Sequence, residues 1–191
     1  MNKLSLTIFQ NELVVLLGHS GAGKTTIFNI LTGLEKPTSG AASAFGVDLF
    51  GDPEQAKQLV GMCPNYDVLF HKMTVKENLR YFCRFKNIER EDAVINEALE
   101  KVNLVSKSDV LVSDLAISYK RKLQLMIAML GETKIVFLDE PTIGMCPNDR
   151  IETWEVIKRE KAGRIIILTT HYMDEAENLA DKIAIISKGT L

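Results

Sequence analysis

A glycine-rich stretch, GHSGAGKT at residues 18–25, constrains the fold of this chain more than any other feature. It matches the pattern GxxxxGK followed by Ser or Thr. It lies between an apolar run, Leu13 to Leu17, and a segment whose pattern predicts a helix from Lys24 to about Thr32. The glycines let the backbone bend and turn N–H groups inward, and the N-terminus of the helix adds partial positive charge. The stretch therefore predicts a phosphate-binding loop between a buried strand and a helix.

Two side chains of this loop have the chemistry to bind phosphate and metal. Lys24 would contact the β and γ phosphates, and Thr25 would give its hydroxyl to Mg²⁺, a hard ion that takes oxygen ligands and bridges phosphates. A glycine-rich turn without function is the alternative, but it would require both residue types to stand there by chance. The predicted binding residues are Gly18, His19, Ser20, Gly21, Ala22, Gly23, Lys24, Thr25 and Thr26.

Two adjacent carboxylates end the apolar run in KIVFLDEPT, residues 134–142. At the carboxyl end of a parallel strand, Asp139 and Glu140 would face the same crevice as the phosphate loop. Asp139 can hold Mg²⁺ directly or through water, and Glu140 can polarise the water that attacks the γ phosphate. His171 follows a further apolar run, IIILTT, and would point to the same edge and contact that phosphate. A solvated strand end for the carboxylates and a structural role for the lone histidine are the alternatives.

Composition excludes several classes of protein. The formal net charge of -2 shows no basic excess, so no general affinity for nucleic acid is predicted. No apolar run approaches the roughly 20 residues that cross a bilayer, and the short β-branched runs suit strands buried on both faces of a parallel sheet. The three cysteines lack a CxxC pair and indicate reduced thiols, and the scattered histidines give no support to a metal cluster. The first residues lack the pattern of a secretory signal, so the chain is expected to face the cytosol.

The order of apolar patterns along the chain indicates an α/β fold. Thr74 and Glu77 form a capping box that opens a helix, and residues 74 to about 130 are interpreted as a largely helical insertion. The apolar face of the first inserted helix is predicted to consist of Val75, Leu79, Phe82 and Phe85. Strands are predicted at residues 4–9, 13–17, 135–138, 165–169 and 183–186. Helices are predicted at 91–102, 149–161 and 173–180, and short strands with one short helix between 37 and 63.

The motifs GHSGAGKTT, LDEPT and TTHYMDEAE occur in an order that resembles the nucleotide-binding domain of ABC transporters over essentially the whole chain. The segment GMCPNYDVLF, followed by TVKENL, resembles the subfamily A type, whose members mostly move lipids or sterols. The resemblance implies an α/β P-loop NTPase fold with a mostly parallel sheet and a helical subdomain. It also implies one domain over residues 1–191, truncated at both ends. Its RecA-like core would lie at about 1–73 and 131–191, and its helical subdomain at about 74–130.

The same resemblance implies a function. The domain would bind ATP with Mg²⁺ and hydrolyse it to power movement of a substrate, by analogy a lipid, across a membrane. Glu140 and His171 would be catalytic, Thr25 and Asp139 would hold the metal, and Asn65 would stand at the family's glutamine position. The expected partners are a second nucleotide-binding domain, in the same or another chain, and transmembrane domains that attach this domain to the cytoplasmic face of a membrane. Nucleic acid is not an expected partner.

Several positions depart from the family pattern. The signature LSGGxK falls on residues 115–120, so Ala116 replaces the serine, and Ile117 and Ser118 replace the glycines. In the family this segment caps the γ phosphate held by a partner's loop, so the change predicts two unequal ATP sites. In the loop TIGMCP, residues 142–147, the usual serine and aspartate are Ile143 and Cys146. On its own, Ser118 is also a plausible N-cap for the apolar helix that follows.

Two other functions fit parts of the sequence. Asn65, the altered signature and Cys146 fit a nucleotide-binding regulatory domain with little or no hydrolysis. A soluble ABC-type protein that acts on ribosomes or in DNA repair is less favoured, because the sequence contains no basic arm or coiled-coil insertion.

Overall fold

The computed structural model describes residues 4–187 and 189–190, and a five-stranded parallel sheet forms its centre. Along the chain the strands are β1 (Leu13–Leu17), β2 (Ser43–Ala44), β3 (Val47–Asp48), β4 (Val60–Cys63), β5 (Ile135–Asp139), β6 (Ile165–Thr170) and β7 (Lys182–Ile185). The sheet has the order β4-β5-β6-β1-β7, while β2 and β3 form a separate antiparallel pair. Because the five strands are parallel, their carboxyl ends all lie at one edge of the sheet.

The helices occupy the segments that the sequence predicts, with ends that differ by a residue or two. They are α1 (Lys24–Leu31), α2 (Pro53–Leu59), α3 (Val75–Phe85), α4 (Glu91–Lys101), α5 (Ile117–Ala128), α6 (Pro147–Arg159) and α7 (Met173–Leu179). Short 3-10 helices at Val105–Lys107 and Val112–Asp114 join α4 to α5, so residues 74–130 are largely helical as expected. Within the described part of the chain, none of the helices combines the length and apolarity needed to cross a membrane.

Alternate side chains of the strands enter two hydrophobic clusters, one on each face of the sheet. In β5, Val136 and Leu138 belong to the cluster that contains residues of α3 to α7, whereas Ile135 and Phe137 belong to the cluster that contains residues of α1 and α2. Burial on both faces explains why the strands are continuous apolar runs rather than alternating patterns. The predicted α/β fold with a parallel sheet is confirmed.

The first inserted helix, α3, begins with the predicted capping box. Thr74 Oγ1 accepts a hydrogen bond from the Glu77 amide at 3.2 Å, and Glu77 Oε2 accepts one from the Thr74 amide at 2.8 Å. Leu79 is buried, but Phe85 is 74% exposed, so its predicted place on the inner face is wrong. With 3.6 residues per turn, Phe85 falls further from the inner face than Cys83, and Cys83 is buried instead.

Replacing Thr74 by alanine is expected to lower the free energy of unfolding by about 1 kcal/mol, because the Glu77 amide loses its hydrogen-bond acceptor at the helix N-terminus. Urea denaturation of the two proteins measures the difference. Thr38→Ala, a change at an exposed residue outside any helix or strand, serves as the matched control and should leave stability almost unchanged. An equal loss in both variants would show that the capping box contributes nothing.

The strand predicted at residues 4–9 is wrong. These residues lie outside any strand or helix, and no neighbouring strand of the described chain takes up their backbone hydrogen bonds. Leu4 and Ile8 still pack against the cluster on the α1 side of the sheet, while Phe9 is exposed. The apolar pattern of residues 4–9 therefore reflects the partial burial of Leu4 and Ile8, and partial burial does not require a strand.

Candidate functional site

The phosphate loop lies at the carboxyl edge of the sheet, between β1 and α1. A Cβ atom at Gly18 would lie 2.5 Å from the carbonyl oxygen of Ile186, so this position accepts only glycine. Gly21 and Gly23 have φ angles of 78° and 105°, in the left-handed region that favours glycine. Gly23 is the N-cap of α1 and provides no side-chain hydrogen bond, so the first N–H groups of the helix are not capped by a side chain. These are the features of a loop that binds an anion through its backbone.

Lys24 is buried although it carries a charge. Its ammonium group donates hydrogen bonds to the carbonyl oxygens of Gly18 at 2.6 Å and His19 at 3.2 Å, so the charge lies inside the loop. Thr25 is exposed, and its hydroxyl donates to Asp139 Oδ2 at 3.4 Å. This contact joins the loop to the end of β5. Of the other predicted loop residues, His19, Ser20 and Thr26 are exposed and Ala22 is buried.

Asp139 is the last residue of β5 and is 2% exposed. Its carboxylate accepts hydrogen bonds from the hydroxyls of Thr25 and Thr169, the latter from β6. Burial raises the pKa of the Asp139 carboxyl, and the neighbouring charge of Glu140 raises it further, against the hydrogen bonds from the two threonines, which lower it. A cation beside this carboxylate would offset the cost of keeping it ionised.

Glu140 and His171 come together at the same edge. Glu140 Oε1 lies 3.2 Å from His171 Nδ1, although the two residues follow different strands. The φ angle of Glu140 is 47°, which is unusual for a residue with a side chain. Its amide donates to the backbone oxygen of Thr169 at 3.1 Å and to the hydroxyl of Thr169 at 3.2 Å, and these contacts hold the strained backbone. The same bonds fix the backbone from which the Glu140 carboxylate reaches His171.

Asn65 lies two residues beyond β4, the strand that pairs with β5. Its backbone carbonyl accepts a hydrogen bond from Arg121 of α5, which also donates to the Pro64 carbonyl at 3.1 Å. Gln124 of α5 donates to the Tyr66 carbonyl at 2.8 Å. The loop is therefore attached to α5 through its backbone. The Asn65 side chain makes no hydrogen bond to the phosphate loop or to Asp139 among the residues that the structure describes.

Comparison with known proteins identifies the family. A family model described as ABC transporter matches residues 1–143. The chain belongs to the ABC transporter family. It is 44% identical over its whole length to ATP-binding cassette sub-family A member 2 from Homo sapiens. It is 42% identical, again over its whole length, to the retinal-specific phospholipid-transporting ATPase ABCA4 from Homo sapiens. It is 40% identical over 98% of its length to the phospholipid-transporting ATPase ABCA3 from Mus musculus. The chain spans only 8%, 8% and 11% of these three relatives.

Solved structures agree with this assignment. An ATP-binding subunit of an ABC transporter superposes with a TM-score of 0.83 at 27% identity, over 95% of this chain and 77% of that one. A dimeric ATP-binding cassette in a post-hydrolysis state, bound to ADP and Pi, superposes with a TM-score of 0.86 at 21% identity, over 97% of this chain and 85% of that one, and shows the shared fold. The resemblance to the ABC transporter family and the predicted P-loop NTPase fold are confirmed.

The segment at the position of the ABC signature starts α5 without a capping side chain. Ala116 is the N-cap and α5 begins at Ile117, so the prediction that Ser118 is the N-cap is wrong. Buried Leu115 anchors the chain just before the helix, and Ala116 already has the extended backbone of an N-cap, so Ser118 falls in the first turn. Ile117 is 59% exposed. An apolar side chain therefore projects from the surface where the ABC family has a glycine.

The altered signature contacts the altered loop after β5. A Cβ atom at Gly144 would lie 3.5 Å from Ile117 Cγ2, so the isoleucine lies directly against that loop. Cys146 is exposed, and its Sγ donates to Asp149 Oδ2 at 3.1 Å. Hydrogen bonds from Ser118 and from Cys146 lower the pKa of the Asp149 carboxyl. The two segments that depart from the ABC pattern are thus joined within this chain.

Sequence reasoning missed two groups that organise the site. Thr169 bonds to both Asp139 and Glu140, and Arg121 holds the loop that contains Asn65. The two hydroxyl residues that end IIILTT were a signal for the first group, because polar residues at the end of a buried strand need hydrogen-bond partners. Arg121 lies in the basic run KRK, and nothing local distinguishes it from a solvated lysine or arginine.

Proposed function

We propose that this chain is the ATP-binding and ATP-hydrolysing module of an ABC transporter and that its catalytic residues are Glu140 and His171. The observation that carries the proposal is the 3.2 Å contact between these two side chains, at the edge of the sheet where the phosphate loop lies. The contact between Thr25 and Asp139 at 3.4 Å connects that loop to the same strand end. Three separate segments of the chain, the phosphate loop, the end of β5 and the residue after β6, therefore carry the proposed phosphate-binding, metal-binding and proton-accepting groups.

The phosphate loop fits the phosphates of a nucleotide. Its glycines allow N–H groups to face an anion, and the buried Lys24 ammonium donates to loop carbonyls that phosphate oxygens would replace as acceptors. The loop residues Gly18 to Thr26 and Asn65 are the proposed contacts of the nucleotide. Lys24 would provide the strongest single interaction, because a charge-assisted hydrogen bond to phosphate is about twice as strong as a neutral one.

Thr25 and Asp139 fit a magnesium ion. The hydroxyl and the carboxylate are hard oxygen ligands that lie next to each other, and the raised pKa of the Asp139 carboxyl indicates a site where an added cation is favourable. When bound, the ion would neutralise phosphate charge as the reaction proceeds.

The two proposed catalytic residues have different roles in hydrolysis. Glu140 accepts a proton from the attacking water through a carboxylate oxygen, which makes the water a better nucleophile toward the γ phosphate. A proton on His171 Nδ1 makes its contact with Glu140 Oε1 a hydrogen bond that fixes the carboxylate. The ring of His171 also packs on that of Tyr172, with centroids 4.1 Å apart, which restricts its rotation.

We propose that the ATP sites of a pair of such domains are unequal. The site on this chain's own phosphate loop keeps every catalytic residue and would be complete with a partner that has an intact signature. The site on the partner's loop would face Ala116 and the exposed Ile117, which offer neither a hydroxyl nor room for close approach. The alternative, a regulatory domain without hydrolysis, is favoured by Asn65 and the altered signature, and the effect of Glu140→Gln decides between the two.

The relatives suggest what the module serves. Two of them are named phospholipid-transporting ATPases, so a lipid is the proposed substrate class. The proposed partners are a second nucleotide-binding domain and the transmembrane domains of the same transporter, with this domain on the cytoplasmic face of the membrane.

Substitution of Lys24 by alanine tests nucleotide binding. The affinity of the intact protein for ATP is expected to fall by about 10- to 100-fold, since a hydrogen bond to a charged group contributes roughly 1.5–3 kcal/mol. Titration with a fluorescent ATP analogue measures the affinity. Lys36→Ala removes an exposed lysine beyond α1 as a control and should leave it unchanged. Equal affinities in all three proteins would refute the proposed phosphate site.

A further inference from the structure

We infer that Glu175 is a positioning residue that locks the segment after Glu140 to the segment after His171. Glu175 lies in α7 and is 0% exposed. Its Oε1 accepts hydrogen bonds from the Thr142 hydroxyl at 2.6 Å and from Trp154 Nε1 at 2.9 Å. Nothing in the proposed reaction uses this carboxylate directly, and the inference rests on the proposed function of the site beside it.

Burying the Glu175 carboxylate costs free energy, because the group leaves water for the protein interior. The second oxygen of Glu175, Oε2, is buried and has no hydrogen-bond partner among the residues that the structure describes. An apolar side chain of similar size would avoid the cost of removing this group from water. Packing alone therefore does not account for the carboxylate. Its two hydrogen bonds fix the Thr142 hydroxyl and the Trp154 indole relative to α7.

The position of Glu175 in the chain shows which segments its hydrogen bonds connect. Thr142 is two residues beyond Glu140, and Glu175 is four residues beyond His171, so their 2.6 Å hydrogen bond ties together the two segments that carry the catalytic pair. The two side chains of the pair are 3.2 Å apart and that of His171 is 39% exposed, so the distance between them depends on how the two segments that carry them are held. Small displacements of reacting groups reduce rates strongly.

Arg150 of α6 makes a second set of contacts with the segment after His171. The Arg150 guanidinium of α6 lies over the ring of Tyr172 at 4.4 Å and bonds to Asp174 at 3.2 Å. It also lies 5.3 Å from the ring of Trp154, the second donor to Glu175. The residues just after His171 are thus held on one side by α6 and on the other by the loop that contains Thr142. Loss of the Thr142 bond frees the loop and leaves the helix in place.

Thr142→Val tests the inference in the intact protein with a partner domain that has an intact signature. Valine keeps the shape of threonine and removes only the donor to Glu175. The kcat for ATP hydrolysis is expected to fall by about 10- to 100-fold while the affinity for ATP changes by less than about 2-fold. Thr142→Ser, which restores a hydroxyl, should recover most of the rate.

Trp154→Phe is the matched control. It removes the other hydrogen bond to Glu175 Oε1 and leaves the link to Thr142, so kcat should stay within about 3-fold even where thermal stability falls. In a His171→Ala background, Thr142→Val should lower kcat by less than about 2-fold more, because the residue that the link positions is already absent.

The outcomes separate the inference from the function on which it rests. An unsubstituted protein that binds ATP but does not hydrolyse it with a competent partner refutes the proposed hydrolysis, and the inference fails with it. Hydrolysis that Thr142→Val leaves unchanged, or that Trp154→Phe reduces to the same degree, overturns the inference alone, since the effect would then be absent or merely one of stability.

Discussion

Glu140→Gln is expected to lower the rate of ATP hydrolysis by about 100- to 10,000-fold, because a positioned general base contributes that much and an amide oxygen does not take a proton at neutral pH. ATP affinity should remain within a few-fold, since the phosphate loop and Lys24 are untouched. Glutamine has the shape of glutamate, so the backbone at a φ of 47° and the bonds from its amide to Thr169 are preserved. Phosphate release under saturating ATP and a separate nucleotide titration measure the two quantities.

The control for this change is Glu132→Gln. Glu132 is exposed and precedes β5 at the opposite edge of the sheet, so its substitution should leave hydrolysis unaffected. Hydrolysis that persists in Glu140→Gln would show that another group activates the water. An unsubstituted protein that binds ATP and releases no phosphate with a competent partner would instead support the regulatory alternative, in which the loop retains nucleotide without turnover.

The phosphate loop and the carboxylates could be predicted from sequence because each depends on a short continuous stretch. The glycines that the loop needs are required by local backbone geometry: Gly21 and Gly23 have positive φ, and Gly18 has no room for a Cβ atom. Asp139 follows four apolar residues, so its place at the end of a buried strand follows from the pattern. The parallel sheet then requires both segments to meet at one edge.

Contacts between distant segments could not be predicted in this way. The bonds from Thr169 to Asp139 and from Arg121 to the loop of Asn65 join residues 30 and 56 positions apart, and a single sequence carries no record of such pairs. Glu175 in MDEAE has the composition of an exposed helix face and is nonetheless fully buried. The wrong prediction of a strand at residues 4–9 has the same cause: a strand forms only where a distant segment lies beside it, and the local pattern does not show that segment.

Rebuilding the signature is expected to raise the turnover of the second ATP site by about 100- to 1000-fold, the contribution of one preorganised hydrogen-bond donor. The rebuilt chain carries Ala116→Ser, Ile117→Gly and Ser118→Gly. A background of Glu140→Gln silences the site on this chain's own loop, so the phosphate released by the pair reports the partner's site alone. The same triple substitution without a partner measures any change in folding.

The structure favours this gain over a loss by misfolding. Serine at position 116 would cap α5, which has no capping side chain, and would contribute about 1 kcal/mol. The glycine at 118 costs about 1 kcal/mol in the helix, so these two changes nearly cancel. Ile117 is 59% exposed and lies against the loop at Gly144, so its replacement by glycine leaves the core intact and costs the helix less than about 1 kcal/mol more. If Ala116→Ser and the triple variant both leave turnover at the background level, the second site is inactive for another reason, and the loop with Ile143 and Cys146 becomes the next segment to rebuild.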